Sequence, residues 1–182
     1  STAKAILMQT ASDRGRPGPD YQWGYGLVDI QAAVDLISRK AFRQASVDDD
    51  GVDVYSLVVP SGNALRVSLA WDDHEATVNA NPTLINNLDL ELVSPSGTRW
   101  RPWALNPRSP TQNATRGVNG VDNQEQVEVP SPEVGTWLVR VLGTTVPQGP
   151  QDYSLACEGC EPLDVGVCQS RIDGTTAITQ QG

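Results

Sequence analysis

Histidine, methionine and phenylalanine occur once each in these 182 residues, and cysteine three times. No apolar run approaches the ~18 residues that a membrane-crossing helix needs, so nothing predicts a membrane span. Basic residues are scarce: 13 against 22 acidic ones, for a formal net charge of −9. That balance excludes nucleic acid as the expected partner, because phosphate binding needs a basic patch. It suits a secreted protein that binds cations. No signal peptide is present at Ser1, and the chain enters a helical pattern without an initiator Met, which points to a piece of a longer protein.

The three cysteines, Cys157, Cys160 and Cys168, lie near the C-terminal end. An odd count leaves one unpaired within the chain, so one disulfide plus a free or intermolecular thiol is expected. A zinc site would need a fourth ligand, and His74 is remote in sequence. A redox Cys-x-x-Cys needs a helix N-terminus to lower a thiol pKa. Cys157-Glu158-Gly159-Cys160 instead follows a strand pattern and is flanked by acids.

Glycine and proline are plentiful, 16 and 13, and favour turns and short strands. Residues 1–11 read as a helix, with Ser1 or Thr2 as cap and Ala3, Ile6, Leu7 and Thr10 as its stripe. Residues 29–38 read as a second helix, capped by Asp29, with Ile30, Ala33, Val34 and Ile37 on its apolar face. From about residue 40 the apolar period changes from 3.6 to 2. Strands are predicted at 40–47, 52–59, 64–71, 87–94, 98–101, 125–130, 135–143 and 152–157, with a long polar loop over 102–120. The acidic turn Asp48-Asp49-Asp50-Gly51 reads as a hairpin. Eight strands with no intervening helix predict a mainly β chain, an eight-stranded antiparallel jelly-roll sandwich preceded by two short helices. Three segments follow: 1–39 with the helices, 40–157 with the sandwich, and 158–182 as a Cys-containing tail or linker.

The segment "NNLDLELVSPSGTRW" (86–100) places Leu88, Leu90 and Leu92 on one strand face and Asn87, Asp89 and Glu91 on the other, read as wet. Ser94-Pro95-Ser96-Gly97 has the composition of a type I turn. If strands 64–71 and 87–94 are neighbours, the loop after Trp71 brings Asp72 and Asp73 towards Asn86, Asn87 and Asp89. Calcium takes six to eight oxygens, mostly carboxylate, amide and carbonyl. The competing reading is a solvated acidic edge that discourages strand pairing. The second acidic group, Asp48, Asp49, Asp50 and Asp53, lacks the spacing of a helix-loop-helix calcium site. His74 has no matching nucleophile and reads as a surface residue. Trp71 and Trp137 fall within alternating strands and read as core, whereas Trp100 and Trp103 flank the polar loop and are candidates for stacking on sugars. Asn113-Ala114-Thr115 fits a glycosylation acceptor.

"STAKAILMQTASD" and "YQWGYGLVDIQAAVDLI" together resemble the end of the subtilisin-like serine protease (subtilase) catalytic domain, with Thr10-Ala11 closing one helix and Gly24-Tyr25-Gly26 leading into the last. "LRVSLAWDD", "LINNLDLELVSPSGT", "VDNQEQVEV", "GTWLVRV" and "VPQGPQDYSLA" resemble the C-terminal jelly roll of some bacterial alkaline subtilases and, more distantly, the P domain of proprotein convertases. The resemblance implies a secreted, calcium-assisted serine endopeptidase as parent, acting on polypeptides, with its catalytic domain as the partner of this chain. The Asp, His and Ser of a subtilase map onto none of these positions, and no Gly-Thr-Ser motif occurs. The chain is therefore expected to be a non-catalytic accessory part, inactive alone. Relatives of this jelly roll bind calcium, and the expected ligands here are Asp72, Asp73, Asn87 and Asp89. The alternative is a stand-alone adhesion or carbohydrate-binding module.

Overall fold

A computed structural model describes residues 1–60 and 63–160, together with the backbone of the strand Cys168–Gln169. The expected tail over 158–182 falls mostly outside the described residues. Two helices, α1 (Thr2–Thr10) and α2 (Ile30–Ser38), precede the strands β1 (Phe42–Val47), β2 (Val52–Val59), β3 (Leu65–Trp71), β4 (Asn87–Val93), β5 (Arg99–Trp100), β6 (Trp103–Ala104), β7 (Thr115–Arg116), β8 (Gln124–Val129), β9 (Gly135–Thr145), β10 (Gln151–Glu158) and β11 (Cys168–Gln169).

Each of the eight expected strands is present, and three two-residue strands join them. Segments that short leave no alternation to read. One sheet has the order β1-β10-β3-β8, the other β11-β2-β9-β4-β5, and β6-β7 form a separate ribbon within the 102–120 loop. Every pairing is antiparallel. Between the two large sheets lies one apolar core. It includes Tyr55, Leu57 and Val59 of β2, Leu88, Leu90 and Leu92 of β4, and Trp137, Val139 and Val141 of β9. Facing them are Val67, Leu69 and Trp71 of β3, Val127 and Val129 of β8, and Tyr153 and Leu155 of β10.

The acidic turn does not close a hairpin. β1 pairs with β10 and β2 with β9, so residues 48–51 carry the chain from one sheet to the other. Alternation shows that both segments are strands, but it cannot name a partner a hundred residues away. The turn itself is well bonded. Asp50 N–H donates to the Gly143 carbonyl at 2.8 Å, and Asp49 accepts the Val146 N–H at 2.6 Å. A Cβ on Gly143 would lie 2.1 Å from the Asp48 carbonyl oxygen, so a side chain there is excluded. The Ser94–Gly97 turn closes as expected, with Gly97 N–H on the Ser94 carbonyl at 2.8 Å.

α1 lies on the outer face of β3 and β10. Both strands carry Ser-Leu-Ala, and their register sets Ser154 opposite Ala70 and Ala156 opposite Ser68. These small residues make a shallow bed. Ala5 and Ile6 of α1 pack there with Ala70 and Ala156, joined by Ala33 and Leu36 of α2. The polar side of the bed is also matched: Ser68 Oγ donates to Gln9 Oε1 at 2.7 Å, and Gln126 Nε2 donates to the Met8 carbonyl at 3.2 Å. α2 has its Asp29 cap, whose carboxylate accepts the Ala32 N–H at 2.9 Å. The loop between the helices turns at Gly26, φ +116°, where a Cβ would meet the Ser12 carbonyl at 2.2 Å.

Candidate functional site

The four expected calcium ligands do not share one point. Asp72 is exposed. Asp73 does bring its loop to the start of β4, but as a backbone clasp: its two oxygens accept the N–H groups of Ile85 and Asn86, at 2.7 and 2.8 Å. Asn86 is wholly buried. Its amide donates to Gln151 Oε1 and the Gln148 carbonyl, and its own carbonyl accepts the Trp71 indole N–H at 2.9 Å. This hydrogen-bonded loop closure occupies Asp73 and Asn86 with the backbone and with each other's neighbours.

Asn87, Asp89 and Glu91 lie on the face of β4 expected to be wet. Asp89 and Glu91 are nevertheless 7% and 1% exposed. Glu91 is neutralised by Arg140 at 2.5 Å, Arg99 at 3.0 Å and Arg101 at 3.5 Å. Burial of a carboxylate is tolerable when guanidinium groups saturate its lone pairs. Asp89 accepts the Thr144 hydroxyl through Oδ2. Its Oδ1 and the Oδ1 of Asn87 are buried without a partner.

A further carboxylate closes this corner, one absent from the sequence expectation. Glu125 is fully buried and reaches from β8 to β4, where Oε2 accepts the Leu90 N–H at 2.5 Å. β4 has β5 alongside only at Leu92 and Val93, so the Leu90 amide is a free edge donor and Glu125 fills it. Burial raises the Glu125 carboxyl well above its ordinary range. The Leu90 hydrogen bond and Arg101 act against that shift, and Asp89 and Asp122 add to it. Glu125 Oε1 is buried and unpartnered. Its sequence signal was phase: Glu125 falls in step with Val127 and Val129, the inward residues of its strand. Asp53 shows the same signal, in step with Tyr55, Leu57 and Val59, and is buried against the Tyr153 hydroxyl at 2.6 Å.

Asp89, Glu125 and Asn87 each keep one buried oxygen without a hydrogen-bond donor. Among the described residues, no three His, Cys, Asp or Glu side chains gather in a metal-binding group.

The remaining candidates resolve separately. Trp71 and Trp137 are core residues. Trp103 does not offer an open stacking face: the Arg116 guanidinium lies 3.4 Å from its ring centroid on one side, and Gly18 approaches it closely. Trp100 is half-buried and packs on the core. His74 is exposed in the loop after β3. Cys157 and Cys160 form a disulfide, and the Cys168 side chain lies outside the described residues. No helix among the described residues is long and apolar enough to cross a membrane.

A second surface stands out on the N-terminal segment. Tyr21, Trp23, Leu27 and Val28 of the loop, with Ile30, Val34 and Ile37 of α2, are all about half or more exposed. Asp20 holds the loop in place by accepting the N–H groups of Arg16, Gln22 and Trp23 at 2.7–3.0 Å, and these bonds keep its carboxyl below the ordinary range.

The fold is thus an antiparallel two-sheet domain with helices on one face and a buried acidic corner joining the sheets. A family model described as "Bacterial pre-peptidase C-terminal domain" matches residues 51–143, and the chain belongs to that family. It is 22% identical over 166 residues to the "Serine protease/ABC transporter B family protein tagA" of Dictyostelium discoideum, covering 85% of this chain and 10% of that protein. The chain therefore spans about a tenth of that relative's length. Among solved structures it is similar to the Clostridium perfringens CspB protease, with a TM-score of 0.37 and 11% identity over 67% of this chain and 26% of that one.

Proposed function

We propose that this chain is the C-terminal accessory part of a secreted subtilisin-like serine endopeptidase, stabilising its catalytic domain and shaping access for polypeptide substrates. The observation that carries the reading is the apolar surface of Trp23, Leu27, Val28, Ile30, Val34 and Ile37. Large exposed apolar side chains concentrated on one short segment mark a contact surface, and they lie within residues 1–38, the segment whose text resembles the end of a subtilase catalytic domain. Membership of a pre-peptidase C-terminal family and a relative named as a serine protease support the same parent. The interleaved strand order supports reading the sandwich as a jelly roll.

Calcium assistance belongs to this proposal. Of the four expected ligands, Asn87 and Asp89 retain spare buried oxygens, while Asp73 is engaged by the Ile85 and Asn86 amides. When bound, a calcium ion would supply charge compensation at the corner between the sheets and no step of catalysis.

The test uses the chain alone and the chain joined to its proposed catalytic domain. The chain alone should not hydrolyse casein, and inhibitor-sensitive turnover by it would overturn the reading. Ile30→Asp and Val34→Asp should lower the stability of the joined protein in thermal melts yet leave that of the chain alone within about 0.5 kcal/mol, as surface substitutions do. Equal effects in both would remove the docking role.

A further inference from the structure

We infer that the outer face of the sheet β11-β2-β9-β4-β5, where Arg99 and Arg101 gather over Glu91, is a docking surface for an acidic, extended segment of polypeptide. The inference rests on the reading above only in taking a polypeptide as what the chain meets.

Strand register brings the parts together. Arg99 of β5 lies opposite Val93 of β4, Val93 opposite Leu138 of β9, and Leu138 opposite Ser56 of β2, so the four form one row across the sheet. Two residues along, Glu91 lies opposite Arg140. Between these rows run Leu92, Val139 and Tyr55, which point into the core. Alternation therefore turns Arg99, Leu138, Glu91 and Arg140 outward. Leu138 is 40% exposed, and Val58, further along the same face of β2, is 42% exposed.

Charge on this face comes in two layers. The Glu91 side chain lies beneath, 2% exposed, while those of Arg99 and Arg101 are 61% and 44% exposed. Arg140 already meets Glu91 at 2.5 Å. Asp89, the next outward residue of β4, is buried and holds the Thr144 hydroxyl. Three guanidinium groups carry far more N–H donors than one carboxylate can accept, and the surplus on Arg99 and Arg101 is in reach of solvent. The exposed layer is thus cationic, in a chain of net charge −9 that has only 13 basic residues. Exposed ion pairs stabilise a fold little, so Arg99 is not there chiefly to hold the strands.

Charge complementarity selects the occupant. Guanidinium groups bind carboxylates in a planar, two-pronged geometry. Leu138, Val93 and Val58 beside them suit aliphatic side chains. A polypeptide strand with acidic and apolar residues on one edge offers both. Nucleic acid fits worse, because its backbone has nothing for the aliphatic row and the chain's net charge repels a polyanion.

The experiment is fluorescence anisotropy on the whole chain with a labelled, end-capped peptide of repeating Glu-Ser-Val-Ser, which puts Glu and Val on one edge. A Lys-Ser-Val-Ser peptide and an oligothymidylate are the comparison probes. The acidic peptide should bind saturably and weaken with salt. Replacing both residues, Arg99→Ala with Arg101→Ala, should weaken binding by about tenfold or more, as two charge-assisted contacts go. Arg39→Ala, at the end of α2 on the other sheet's side, should leave it within about twofold. Should the double variant melt early, Arg99→Ala alone leaves Arg101 and Arg140 on Glu91 and should still weaken binding about threefold. Equal binding of the lysine peptide, or an equal loss with Arg39→Ala, would overturn the surface. Equal binding of the oligothymidylate would overturn the choice of a polypeptide. No binding at millimolar acidic peptide would overturn the inference and spare the docking role of α2, which Ile30→Asp reads in the joined protein.

Discussion

Gln9 and Arg66 are bonded reciprocally: the Gln9 side-chain amide donates to the Arg66 carbonyl at 3.0 Å, and Arg66 Nη1 donates to the Gln9 carbonyl at 3.2 Å. The pair fastens the end of α1 to β3, and Gln9 is wholly buried. In hydrogen exchange, the amides of residues 6–10 should accordingly be protected like those of β3 and β10. Those of α2, which buries only Ala33 and Leu36, should exchange faster. Gln9→Ala should cost about 1–3 kcal/mol, because Ser68 and Arg66 lose partners in a dry site. Uniformly fast exchange across α1 would mean that the helix does not belong to the sandwich.

Asp73 is the loop clasp rather than a spare ligand. Asp73→Ala frees the N–H groups of Ile85 and Asn86 together, and charge-assisted bonds of this kind are worth about 1.5–3 kcal/mol each at most. We expect a loss of about 2 kcal/mol in denaturant unfolding and faster proteolysis within residues 74–84, both independent of calcium. A loss that calcium restores would make Asp73 a calcium ligand instead.

Glu91 is the anchor of three arginines. Glu91→Ala should destabilise by roughly 2–4 kcal/mol, below the figure for a wholly buried pair because Arg99 and Arg101 keep access to water. Arg99→Ala should cost under about 1 kcal/mol, as Arg140 and Arg101 remain. Urea unfolding of the two variants checks the asymmetry, and equal losses would show that the network is not centred on the carboxylate.

The buried chain Tyr55–Tyr153–Asp53 sets a pH dependence. Burial raises the Asp53 carboxyl above its ordinary value, and hydrogen bonds from the Tyr153 and Tyr55 hydroxyls partly offset the rise. A carboxyl with a raised folded pKa favours the folded state below its unfolded pKa and weakens it as pH climbs through the folded one. Tyr153→Phe removes a donor to the carboxylate and raises that pKa further. Its destabilisation should be smallest near pH 4 and grow towards pH 7, by about 1–2 kcal/mol. Melting curves of both proteins across that range measure it, and a pH-independent difference would mean Asp53 does not titrate in the window.

The sequence by itself determined the strands and helices. The change of apolar period near residue 40, the Asp29 cap, the Ser94–Gly97 turn and the core positions of Trp71 and Trp137 are local patterns, legible because side-chain periodicity and turn chemistry act over a few residues. It also held the sign that Glu125 and Asp53 point inward, since each falls in step with apolar neighbours. Tertiary structure alone decided the rest. Whether the acidic turn made a hairpin depended on partners in β9 and β10, far along the chain. Alternation alone reads the polar face of β4 as wet, but Arg140 and Thr144 from β9 cover it. Asp73 was drawn off as a backbone clasp because Ile85 and Asn86 arrived with free amides. Burial and hydrogen-bond partnership are properties of what packs against a residue, and a strand's own alternation fixes only which side that residue faces.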